Sequence, residues 1–392
     1  MKLQKSGILK FAFIAVHALL LTWGCYIAGT IPYSFGSEKQ TVKWFNAISG
    51  WINNSSYMAP DNVLPINVSY DKQLTGISDE YGIPLGVTDI TDRSKLHQLL
   101  HLIDSIGNYK YIVCDILFSS QYTTPEDSAL FELISNMPRI AIAGGSNTKA
   151  VPEKIRSKAF ICTYSTTIEE GDFVKYPLIS KGEESLPLHI WKSTHKATFS
   201  GNALLCQSQG KICRRSIFLN FPIRVSELYS NGQLKNWLNL GADILDVRHM
   251  LNTATLFKDK IILIGSFTED DIHSTIAGDM PGVMINYNAY HALSNGCHYI
   301  NGMAFFILFA IFFITTIWVI DDKHLSDIIP QKLIPESAII QMIISWLSLS
   351  TLFTVVFFIL YVVFTEVYDI FFISTYFTLL STIKQILPTK RI

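Results

Sequence analysis

The chain has 392 residues, of which 49% are hydrophobic and only 16% charged, and its mean hydropathy is +0.29. That balance is a membrane protein's. Lys and Arg number 31 against 32 Asp and Glu, so no overall basic field invites nucleic acid, and the sequence carries neither zinc-type CxxC pairs nor RNA-binding signatures; nucleic acid is excluded as a partner.

The apolar run Ile8 to Ile31, with Lys2, Lys5 and Lys10 around its start, predicts a transmembrane anchor. It is long enough to span, and Thr30-Ile31-Pro32 offers no small-residue cleavage site. Lipidation of Cys25 is not expected, because Thr22-Trp23-Gly24 fits a lipobox poorly. From residue 32 to 301 the polarity is that of one globular unit, and no Gly/Ser-rich linker divides it. Phe35 to Asn62, with Trp44, Phe45, Trp51 and Tyr57, reads either as an amphipathic segment at the membrane surface or as ordinary domain packing.

Within that unit, Leu64 to Val68 predicts a first strand. Thr91 or Asp92 caps a helix whose Leu96, Leu99, Leu100 and Ile103 share one face, and the helix stops at Gly107-Asn108 before a strand from Tyr111 to Leu117. A helix over Ser128 to Met137 and a strand over Arg139 to Ala143, ended by Gly144-Gly145, continue the alternation. Right-handed crossovers then make these strands parallel neighbours with helices on both faces. Residues 160 to 219 read as an insertion or mixed-sheet extension with hairpin-like strands and one helix, Leu186 to Lys196. Ile261 to Ile264 is a strand buried on both faces and ended by Gly265. The acid-rich loop Ser266 to Asp279 follows, then a helix from Pro281 carrying Ile285, Ala289, Ala292 and Leu293 and ended near Gly296.

Three further spans are expected, Met303 to Ile320, Ser337 to Phe364 and Val367 to Leu387. Lys323, His324 and Lys332 in one gap and Lys384, Lys390 and Arg391 near the end place positive charge on one side. Both termini are thereby predicted cytoplasmic, residues 32 to 301 outside, and Glu366 to Asp369 in a tight external turn. The expected fold class is an α/β domain with a mostly parallel or mixed sheet (32–301), between one N-terminal anchor (1–31) and a segment of three C-terminal spans (302–392).

Asp115, Asp270, Asp271 and His273 are the candidate ligand-binding residues, since carboxylates and an imidazole at the ends of adjacent parallel strands can bind a cation or move a proton. Loop carboxylates also serve as helix caps, and that structural role outweighs ligand contact here, with catalysis least favoured. No GxSxG or Walker loop occurs, and Ser266 has only His273 nearby. No catalytic residue, metal or cofactor is assigned. Among six cysteines, Cys206 and Cys213 bracket a polar turn and form the one candidate disulfide, with free thiols as the alternative.

KDKIILIGS, then Asp271, His273 and Thr275, then MPGVMINYNAYHALSNG together resemble the closing segment of type-two CHASE domains, sensory modules outside the membrane of bacterial receptors. YIVCDILF from Tyr111, the segment Gly171 to Leu178, Ile217 to Phe221 and Asp243 to Val247 follow the same order, and the resemblance covers about 61 to 300. Two positions depart from the family: Ile66-Asn67-Val68-Ser69-Tyr70-Asp71 lacks the paired acids of the first strand, leaving Asp71 as a partial substitute, and Lys175 stands for the basic residue after Asp-Gly. The resemblance implies a multi-pass protein of the bacterial inner membrane that detects a ligand or protein outside and is not an enzyme. With no kinase, cyclase or phosphodiesterase motif after Leu387, the output is expected in a separate signalling protein. The alternative is an envelope assembly or scaffold protein whose domain binds another protein.

Overall fold

The computed structural model describes residues 2–34, 37–53, 62–78, 81, 83–162, 174–201, 206–219, 229–230, 233–234, 237–245, 253–268, 271–321 and 337–386. Its centre is a six-stranded, wholly parallel sheet in the spatial order Leu238–Asn239, Val63–Asn67, Ile261–Gly265, Tyr111–Cys114, Ile140–Ala143, Ala159–Phe160. The strand formed last in sequence is inserted between the first and the next parallel strand, so Ile261–Gly265 lies inside the sheet, every residue buried. That burial explains why its sequence is continuously apolar rather than alternating.

Alternate side chains along the strands feed two cores. Val63, Tyr111, Val113, Ala141, Ile261 and Leu263 pack with the helices Leu186–His195 and Gly282–Ser294 on one face. Leu64, Ile66, Ile112, Cys114, Ile140, Ile142, Ile262 and Ile264 pack with Arg93–Ile106 and Asp127–Asn136 on the other. Asp92 caps the first of these helices by accepting a hydrogen bond from the Lys95 amide, and Gly107 ends it in the left-handed conformation, as the sequence predicts. The strand expected over Tyr111–Leu117 ends at Cys114, with the Asp115 amide still donating to the Ile264 carbonyl at 2.7 Å.

Two features lie outside the expectation. Lys72–Ser78 and Pro84–Thr91 form an antiparallel hairpin that carries Leu74, Leu85 and Val87 exposed. Within the loop after Gly265 lies a second small hairpin, Ile272–Thr275 with Gly278–Pro281. Its turn is held by Thr275, whose hydroxyl donates to the Gly278 carbonyl at 2.6 Å and accepts from the Ala277 amide at 3.1 Å.

Among the described residues, three helices are long and apolar enough to cross a membrane, covering Gly7–Thr30, Gly302–Ile320 and Ile339–Phe364. The last expected span is a shorter apolar helix, Ile370–Ile386, of 17 residues, preceded by a turn at Val367 to Asp369. Asn301 caps Gly302–Ile320 through the Met303 and Ala304 amides. Lys10, Asp321 and Lys384 meet at the end of the bundle remote from the α/β domain, Lys10 on Asp321 and Lys384 on the Ile320 carbonyl. The segment with Trp44 and Phe45 is a helix, Glu38–Asn53; its Phe45 packs on Phe358 and Tyr361 and its Asn46 accepts from the Tyr361 hydroxyl, so it rests on the bundle.

Domain and bundle are locked together by buried charge. Lys175 is fully buried and pairs with Glu38 at 2.7 Å. Arg214, between the strand ending at Cys213 and the strand Ser216–Phe218, pairs with Glu366 in the turn between the last two apolar helices. The Tyr368 hydroxyl also donates to Glu366, and the Arg214 guanidinium lies over the Tyr26 ring at 5.0 Å. Asp369 accepts from the Ser37 amide at 2.8 Å.

Candidate ligand site

The carboxyl ends of the central strands open into a cavity of about 450 Å³ lined in part by Val68, Asp115, Ala143 and Ser266. Val68, Asp115 and Ser266 follow directly on three neighbouring strands and Ala143 ends the fourth, which is where a parallel sheet with an inserted strand leaves a crevice. The base of the exposed hairpin, from Lys72 and Asp89 to Thr91, and the first-turn residue Arg93 close it on one side. Asp271 and His273 close the other.

Asp115 is held at the cavity floor by a relay from the core. The Tyr176 hydroxyl donates to Asn286 Oδ1 at 2.6 Å, and Asn286 Nδ2 donates to Asp115 Oδ2 at 2.8 Å. Burial, and next the nearby Asp271 carboxylate, push Asp115 up to about 7, against the hydrogen bond from Asn286 and the pull of His273. His273 Nε2 bonds Asp271 Oδ1 at 2.9 Å, and this bond raises the imidazole above its ordinary value despite partial burial. The helix bearing Asn286 reaches the strand end only because residue 265 is glycine: a Cβ there would stand 3.0 Å from Val283 Cβ and 3.5 Å from Asp115 Cβ.

Of the residues singled out from sequence, Asp115, Asp271 and His273 therefore come together, while Asp270 lies outside the described residues. Ser266 bonds the Ser69 hydroxyl at 2.9 Å, whereas His273 is engaged by Asp271. Cys162 shares the cavity, but burial raises its thiol well above the ordinary value. Asp71 does not stand in for the missing acids, because it is buried and spent on Lys95 Nζ at 2.6 Å and the Gly241 amide at 3.0 Å. Lys175 is likewise at the membrane-facing junction and not in the cavity. Among the described residues no cluster of His, Cys, Asp and Glu has the arrangement to hold a metal ion.

Sequence reasoning missed Arg93. It lies on the apolar face of its helix, three residues before Leu96 and seven before Leu100, with its side chain 2% exposed. An arginine on an apolar stripe was the available signal. Its Nε approaches Asp127 Oδ1 at 3.6 Å, its guanidinium lies over the Phe118 ring at 4.4 Å, and burial pulls its pKa down against the charge of Asp127.

Cys206 and Cys213 are direct register partners across a hairpin and both buried.

The whole is an α/β domain with a polar cavity at the carboxyl ends of its central strands, seated on a bundle of apolar helices. The CHASE2 domain model matches residues 79–320, so the chain belongs to the CHASE2 domain family, a family of sensory domains. The match begins after the first strand and runs on through the apolar helix Gly302–Ile320, beyond the expected limit near residue 300. No curated protein and no solved structure matches the chain.

Proposed function

We propose that this chain is a membrane-bound sensory receptor whose cavity binds a small ligand outside the cytoplasm and whose apolar helices pass the event to a separate signalling protein. The observation that carries this reading is the convergence of Asp115, Asp271 and His273 on one ligand-sized cavity, in a domain joined to the bundle through buried ion pairs rather than a loose linker. Binding, not catalysis, suits the site: Ser266 lacks a base, Cys162 is held as a thiol, and Asp115 is fixed by Asn286. Both termini lie in the cytoplasm of a bacterial cell and the domain outside its inner membrane, with Lys10 and Lys384 at the cytoplasmic end of the bundle. Reporter fusions test this orientation, and one that places Ser200 in the cytoplasm contradicts it.

The functional test is the thermal midpoint of the full-length protein in lipid nanodiscs across a library of small metabolites. A receptor is stabilised saturably by one class of compound, and the effect is lost in Asp115→Asn and His273→Ala. A second reading, an envelope scaffold that binds another protein, is favoured by the exposed Leu74, Leu85 and Val87 of the hairpin. A stable stoichiometric partner retained without any small-molecule response decides for the scaffold.

A further inference from the structure

The cavity lining carries groups of both signs, Lys72 and Arg93 with Asp89, Asp115 and Asp271. Arg93 is 2% exposed, and its Nε and Nη1 are sealed from solvent without a hydrogen-bond partner among the described residues. Asp127 stands at 3.6 Å, and the Asp127 oxygen nearest to it is also without a hydrogen bond among the described residues. The other oxygen of Asp127 is occupied by the Thr124 amide at 2.8 Å. A guanidinium presents a fork of donors matched to a planar carboxylate, and here that fork is supported from behind by Phe118 and kept from full pairing. Asp115 and Asp271 lie on the same lining, two acids served by one imidazole and one amide. An ammonium seated between them adds a positive charge and hydrogen-bond donors beside a buried carboxyl that burial, and next the charge of Asp271, hold above its ordinary range.

We propose that the cavity takes a small zwitterion, a molecule bearing a primary ammonium and a carboxylate as a free amino acid does, with Arg93 receiving the carboxylate and Asp115 and Asp271 the ammonium. This rests on the sensory reading and adds the ligand's chemistry. The volume, about 450 Å³, lies in the range of small-ligand sites. Val68, Ile90, Ile116 and Leu117 complete the walls and suit an aliphatic side chain. A dicarboxylate puts a second negative charge against Asp115 and Asp271, and a diamine puts a second positive charge against Arg93, so each meets a like charge.

The test is isothermal titration of the full-length protein in nanodiscs with the free amino acids one at a time, and with the N-acetyl and amide derivatives of any that bind. Simple dicarboxylates and diamines are titrated alongside. At least one free amino acid is expected to bind saturably, with both derivatives at least tenfold weaker. Arg93→Lys keeps the charge that faces Asp127, so the fold is retained, yet it loses the fork and lowers affinity at least tenfold. Asp115→Asn, which preserves the hydrogen bond geometry at Asn286, does the same without altering the thermal midpoint of the unliganded protein by more than a few degrees. Equal binding of a derivative lacking either charge overturns the proposal. Binding by dicarboxylates or diamines in place of zwitterions overturns the ligand class while leaving the receptor reading intact, and no response to any of these compounds overturns the ligand class too, the receptor reading being decided by the metabolite library.

Discussion

The ion pair between Arg214 and Glu366 is the joint most directly open to a quantitative test, because it connects a strand of the domain to the turn between two apolar helices. Both side chains are nearly sealed from solvent, at 4% and 2% exposure. Removing one partner from a buried pair costs about 3–5 kcal/mol, since the other charge is left in a low dielectric. The two single variants are expected to differ. In Glu366→Ala the guanidinium cannot neutralise and keeps only the Tyr26 ring at 5.0 Å, with its Nε already lacking a hydrogen bond; the cost lies near about 5 kcal/mol. In Arg214→Ala the carboxylate still accepts from the Tyr368 hydroxyl at 3.3 Å, so the cost lies near about 3 kcal/mol. The double replacement Arg214→Met/Glu366→Leu is expected to recover most of either loss, because an apolar pair of similar volume avoids the desolvation of both ions. Unfolding of the full chain in nanodiscs, followed by tryptophan fluorescence, gives these values and those of Arg214→Met and Glu366→Leu made singly. If the losses of Arg214→Met and Glu366→Leu simply add in the double variant, with a coupling under about 1 kcal/mol, the pair behaves as a solvated one and the joint described here is wrong.

Ile264→Asp puts a charge in a fully buried strand position and is expected to unfold the domain, at a cost above about 4 kcal/mol; Asp271→Ala and His273→Ala should alter binding with the thermal midpoint nearly unchanged, and equal destabilisation by all three makes the loop purely structural. Asp115 and His273 also set a pH dependence of stability. A carboxyl raised to about 7 keeps its proton in the folded protein where the unfolded chain has already ionised, so its contribution is present at low pH and declines as pH rises from about 4 to 7. His273, raised above its ordinary 6.5, contributes fully below that value and loses its contribution as pH rises through the folded pKa. Asp115→Asn and His273→Gln should each flatten part of this slope in melts taken at successive pH values, and a slope unchanged in both variants removes the assignment. Cys206 and Cys213, as directly opposed register partners, have Cα atoms about 4.5–5.5 Å apart, within the range a disulfide needs. In protein from its native envelope a bridge worth about 2 kcal/mol is expected, and alkylation of both thiols without prior reduction excludes it.

Where local rules and tertiary demands agreed, the sequence was legible. Asp92, the Leu96 to Ile103 face and Gly107 specify one helix from cap to cap, and the structure repeats it. The Ile261–Gly265 strand announced its double burial by continuous apolarity, and the glycine that ends it leaves room for the close approach of Val283. Asp115, Asp271 and His273 were found because strand ends of a parallel sheet are a known location for ligands. What stayed hidden depends on distant partners. Arg93 gains its meaning from Asp127 and Phe118, which sequence periodicity alone does not bring to it. Lys175 stands where the family carries a basic residue, and its role comes from Glu38, in the helix Glu38–Asn53, which pairs with it in the buried junction. The hairpin Lys72–Ser78 and Pro84–Thr91 exposes its apolar side chains, the reverse of the pattern that identifies a packed strand, so periodicity gave no sign of it.

The central claim is that the state of the cavity is felt at the far end of the helix bundle. Spin-label side chains incorporated at Ile8 and Ile383, both exposed at 69% and 52%, report the distance between the first and last apolar helices by pulsed electron resonance in nanodiscs. The claim predicts that Asp271→Ala/His273→Ala shifts that distance distribution while the thermal midpoint of the domain stays in place. Superimposable distributions in the two proteins would contradict it.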